Sequence, residues 1–188
     1  MKKIVETISS IPHWYGVVIV LVYALLTAEY LSVLNNLYIQ EMIEVSGIVE
    51  VLLSISYVLT IVSSVVIWII LCLMFHLTVL LFDGKQIFSK FLYTSSYLYI
   101  IPAIALMAAI LMLGNLEVED NEDIIEGLLD KSRFRLIMNI VNYSLFPFYL
   151  LTACVIRYLY NTKWLYAVLS VAIPIVSIWG VTELFKLL

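Results

Sequence analysis

One carboxylate stands inside a run of apolar residues. Glu29 lies in VLVYALLTAEYLSVL, fifteen residues after Trp14, which is about 22 Å along a helix. If that run crosses a bilayer, Glu29 sits in its outer third. A carboxylate at the centre of a membrane helix costs about 2.5–3.5 kcal/mol on insertion scales, less off centre, so a partner or water is expected beside it. Depth along the other apolar runs picks out Tyr57 in the second and Asn139, Asn142 and Tyr143 in the fourth. The last three are spaced for one helical face. Two chemistries fit this set. One is a polar, outward-facing cavity in which Glu29 holds a proton or a cation. The other, which we favour, is a structural hydrogen bond with Glu29 facing the bundle interior and meeting Asn142 or Tyr143.

Pro102, Pro147 and Pro174 each fall near the middle of an apolar run. A proline there frees a backbone carbonyl and can kink its helix. Broken helices at the midplane bind substrate in transporters, but packing kinks are the simpler reading, since no internal repeat accompanies them. His13, His76 and Asp83 are isolated and lack metal-ligand spacing. The chain has no HExxH, GxSxG or Walker A sequence, so no enzyme activity, metal or cofactor is expected. Nor does any basic face point to nucleic acid.

These residues must be carried by membrane helices. The chain has 188 residues, 64% hydrophobic and 13% charged, with mean hydropathy +1.08, whereas soluble domains carry about 25% charged residues. Five runs are long enough to cross about 30 Å of hydrocarbon: approximately 14–34, 51–82, 92–113, 137–158 and 164–184. Open strands are excluded because lipid cannot satisfy their edges. The fold class is therefore all-α, a single domain built as a bundle of five transmembrane helices. Residues 51–82 carry no full charge, which as a helix is about 48 Å. One tilted helix is expected there, with His76 reaching the inner interface and Gly84 ending it in the left-handed conformation. Asp83-Gly84-Lys85 then forms a tight turn.

Lysine and arginine set the orientation. With the N-terminus inside, the inner side holds Lys2, Lys3, Lys85, Lys90, Arg157 and Lys163, against Lys131, Arg133, Arg135 and Lys186 outside. N-in, C-out follows. The outer loop LEVEDNEDIIEGLLDK carries seven acids between Glu117 and Asp130. Asn121 can cap a helix there, with Ile124, Ile125, Leu128 and Leu129 as an apolar stripe. An amphipathic helix on the outer surface is expected, its acidic face solvated or attracting cationic peptides. The N-terminus lacks a cleavage site and is expected to be retained. Cys72 and Cys154 read as inert small hydrophobes, with a disulfide left open.

His76, Gly84, Phe88, Tyr97 and Pro102 resemble the pattern of the Yip1 domain family: a histidine in an apolar run, a glycine turn, a phenylalanine, then a tyrosine shortly before a proline. The specific part covers 28 residues, Phe75 to Pro102, and the five-span topology covers the chain. Family patterns often carry a second glycine at the turn, where this chain has Asp83 before Gly84 and Lys85 after it. Eukaryotic members carry a long cytoplasmic N-terminal region, whereas about a dozen residues precede the first span here. The chain thus looks like a small prokaryotic-type member, and the small-GTPase binding implied for eukaryotic relatives does not transfer. For the prokaryotic branch the resemblance implies an integral membrane protein.

The reading that follows is a non-enzymatic scaffold or accessory subunit of a membrane complex. Its partners would be lipids and either another membrane protein or a second copy, in a prokaryotic plasma membrane. Two alternatives stand beside it. One is a small transporter, channel or lipid-moving protein using Glu29 and the kinked helices, and the other is protection against cationic peptides through the acidic loop.

Overall fold

A computed structural model describes residues 2–39, 47–115 and 132–186. Among them there is no strand, and every long element is a helix. Five helical stretches are long and apolar enough to cross a membrane: His13–Leu37, Gly47–Leu80, Phe88–Leu113, Ser132–Leu159 and Trp164–Lys186. The protein is an all-α, polytopic membrane protein. The surface helix expected between Glu117 and Asp130 lies outside the described residues.

A short helix, α1 (Lys2–Ser10), precedes the first span. It was not anticipated: its apolar residues are too few to stand out beside the spans, yet Val5 is buried and the helix packs on α4. Pro12 separates it from α2 (His13–Ile39), because the residue before a proline is pushed out of helical geometry. Next comes α3 (Gly47–Leu80), 34 residues in one unbroken helix and about 51 Å long.

The third span is built in pieces: α4 (Phe88–Ser96), a 3₁₀ turn (Tyr97–Tyr99) and α5 (Ile100–Leu113). Two features break it. Pro102 has no N–H for the carbonyl of Leu98. Just upstream, the hydroxyls of Thr94, Ser95 and Ser96 donate to the carbonyls of Lys90, Leu92 and Tyr93, bonds that compete with the helix ladder and bend it. The other two prolines do not break their helices. Pro147 lies inside α6 (Ser132–Leu159) and Pro174 inside α7 (Trp164–Lys186).

The turns after α3 and α6 share one geometry. After α3, Asp83 N–H donates to Leu80 O and Gly84 N–H to Val79 O, the nested pair of a Schellman motif. The left-handed residue is Asp83, with φ 62°, and no glycine among the described residues has positive φ. This corrects the expectation for Gly84. Aspartate tolerates that conformation through its short polar side chain, which frees the next position for a different demand. A Cβ on Gly84 would lie 2.8 Å from Val79 O and 3.1 Å from the Tyr160 ring. After α6, Asn161 has φ 52°, and Thr162 N–H donates to Arg157 O.

By contacts the chain divides into two compact units. The first comprises Met1–Val20, Val66–Tyr99 and Pro147–Leu188; the second comprises Leu21–Val65 and Ile100–Phe146. In the first unit Phe75, Val79, Phe91, Ile156 and Ala167 are fully buried. Gly16 is needed there because a Cβ would sit 2.0 Å from Ser96 Oγ and 3.2 Å from Tyr93 O. In the second unit Tyr30, Leu106, Ala109, Leu113, Phe134 and Ile137 form the core. Cys72 and Cys154 are both buried and free.

Candidate intramembrane polar site

In the second unit, the direction of Tyr30 decides where Glu29 points. Tyr30 is buried in the core with Phe134 and Ile137 of α6, and its phenol donates to Met138 Sδ at 2.9 Å. Adjacent residues on a helix differ by about 100° in direction, so Glu29 is turned away from α6 and is exposed. Its contact is Tyr57 of α3, whose phenol donates to Glu29 Oε2 at 3.4 Å. The fourth span is not its neighbour, which corrects the expected bond to Asn142 or Tyr143. Both of those residues are exposed, Tyr143 at 72%, and Asn139 is half-buried. Of the five polar candidates, the structure brings together Glu29 and Tyr57.

Beside that pair is a cleft that the sequence reading missed. Ala28, Leu31, Ser32 and Asn35 of α2 face Leu53, Ser56, Tyr57 and Thr60 of α3, enclosing about 20 Å³, room for one water. The signal was present: both quartets follow the same i, i+3, i+4, i+7 spacing, the face by which helices pack. It went unread because serine and threonine are unremarkable in membrane helices when they satisfy their own backbone. Thr60 Oγ1 donates to Ser56 O and Ser64 Oγ to Thr60 O, each at 2.8 Å.

In the first unit, two residues of the quoted pattern, His76 and Gly84, meet a tyrosine not anticipated, and a third, Phe88, packs on His76. His76 Nδ1 and Tyr160 Oη share a hydrogen bond. The His76 ring lies 5.3 Å from Phe88, Phe91 meets Tyr160 edge-on at 5.7 Å, and Gly84 leaves space for the Tyr160 ring. Tyr160 stands in the turn just past α6, and burial pushes its phenol up from its ordinary value. It therefore stays protonated, and which of the two groups donates follows from the His76 tautomer. Gln86 Nε2 closes the same turn by donating to Leu159 O at 3.2 Å. Tyr97 acts elsewhere, its phenol donating to Pro12 O at 2.9 Å. Pro102, buried in α5, belongs to the second unit.

His13 stacks on Tyr93 at 4.6 Å, and among the described residues no three of histidine, cysteine, aspartate and glutamate gather as metal ligands. Compared with known proteins, the chain matches no family profile, no curated protein and no solved structure.

Proposed function

We propose that this protein is a non-enzymatic scaffold or accessory subunit of a membrane complex, of Yip1-like type, with its N-terminus and the turn at Asp83–Lys90 in the cytoplasm of a prokaryotic cell. The observation that carries the reading is Glu29. A transporter that used this carboxylate would gather further polar groups around it and shield it from lipid. Here it lies on an exposed helix face, with one long hydrogen bond from Tyr57. A carboxylate left so in an apolar span costs free energy that a neighbouring protein removes. The cleft beside it has room for one water, too little for a solute path. Support for the family reading is the packing of His76 and Gly84 against Tyr160, with Phe88 against the His76 ring.

The deciding experiment isolates the tagged protein from its native membrane in mild detergent. A stoichiometric second protein is the expected result. A chain that purifies alone and moves a solute across liposomes overturns the proposal in favour of transport.

A further inference from the structure

The second unit carries a stripe that its described helices leave largely uncovered. Along α2, Val22, Leu25, Glu29 and Asn36 are exposed and Ser32 is half-buried. The steps between these five alternate between three and four residues, the spacing at which one helix seats another. The first two residues, Val22 and Leu25, are apolar. The other three, Glu29, Ser32 and Asn36, are polar.

Among the described residues, Glu29 is not fully satisfied. Hydrogen bonds from a hydroxyl to a carboxylate run at about 2.5–2.7 Å, and the Tyr57 phenol lies at 3.4 Å. A carboxylate offers about four acceptor sites, of which a phenol fills one. The ion pair seen among the described residues is Lys186–Glu183, elsewhere in the chain. Lipid tails supply no donor, and the hydroxyl of Thr60 is committed to its own helix.

We propose that this stripe docks a transmembrane helix of a partner protein that carries one lysine or arginine at the depth of Glu29. The proposal rests on the accessory-subunit reading and names the chemistry of its partner. Charge complementarity selects that occupant. A second copy of this chain meeting its own stripe would set carboxylate against carboxylate, and like charges repel strongly where water is scarce. A cationic head fits on both counts. It pairs with Glu29, while Ser32, one turn along, offers an oxygen to one of its remaining protons.

The test uses the full-length protein, fluorescently labelled and reconstituted in phosphatidylcholine liposomes. The probes are synthetic leucine-alanine helices of about 22 residues, with lysine, leucine or glutamate at the position matching Glu29. Energy transfer measures association. The lysine helix is expected to bind roughly tenfold more tightly than the leucine helix, and Glu29→Gln should erase that preference while Asn142→Leu keeps it. Equal binding of the lysine and leucine helices to the wild-type protein overturns the proposal, and that arm needs no variant to fold. So does a lysine preference that survives in Glu29→Gln. Energy transfer between two labelled wild-type copies that Glu29→Gln abolishes assigns the stripe to self-association, and this also overturns it. A stoichiometric native partner together with no lysine preference keeps the accessory reading and removes this inference alone.

Discussion

Asp83 and Gly84 divide the demands of one turn between them, conformation at the first and space at the second. Substitutions should separate the two roles. Asp83→Gly supplies the left-handed conformation without strain and should leave thermal stability within about 0.5 kcal/mol of wild type. Gly84→Val drives a side chain into the Val79 carbonyl and should cost about 1–3 kcal/mol, read as a fall in unfolding temperature in detergent. A Gly84→Val protein as stable as Asp83→Gly would show that the turn relaxes freely. The sequence pointed to this turn but assigned its special residue wrongly, because aspartate before glycine reads as an ordinary helix stop. Tyr160 was illegible for another reason: it lies 84 residues from His76, and no local pattern links them. Tyr160→Phe leaves His76 Nδ1 without its hydrogen-bond partner in a buried site, a loss of about 1–3 kcal/mol. His76→Phe should lose less when made in the Tyr160→Phe background than alone, so a double-mutant cycle by thermal unfolding measures the pair.

Element by element, apolar runs announced the five spans because hydrocarbon admits so few alternatives for a buried backbone. What they did not announce is how the helices touch. Gly16 of α2 approaches Ser96 of α4 so closely that no side chain fits between them. We expect Gly16→Val to destabilise the first unit by about 1–3 kcal/mol through overpacking. Ser96→Ala should recover part of that loss, since it removes the hydroxyl nearest the new carbon while leaving the Tyr93 carbonyl in place. No recovery in the double variant, measured by thermal unfolding, would move the conflict to the backbone. Neither glycine nor serine is diagnostic in a sequence, so such contacts become visible only when two helices are placed together. The facing of Glu29 was missed for a related reason. Depth along a span follows from counting residues, but rotation about the helix axis depends on which neighbour buries Tyr30.

For the whole molecule, the lysine and arginine distribution sets the expected topology. Cysteine placed at Ile87, which is 71% exposed, or at Asn121 should answer oppositely to an impermeant thiol reagent on intact cells, once Cys72 and Cys154 are replaced. Labelling at Asn121 alone is expected, and labelling at Ile87 alone reverses the orientation. The length of α3 bears on the membrane itself. At a tilt of about 40°, the steep end of the usual range, about 30 Å of hydrocarbon takes up about 39 Å of helix. The remaining 12 Å or so, roughly eight residues, must stand in the headgroup zone. If the surplus lies at the start of α3, it holds Ile48, Val51 and Leu52, exposed apolar side chains, with Glu50 among them. A thicker bilayer takes Val51 and Leu52 in and leaves Glu50 as the stop. The helix is thus a gauge of membrane thickness, and the protein should partition toward the thickest bilayer its cell provides.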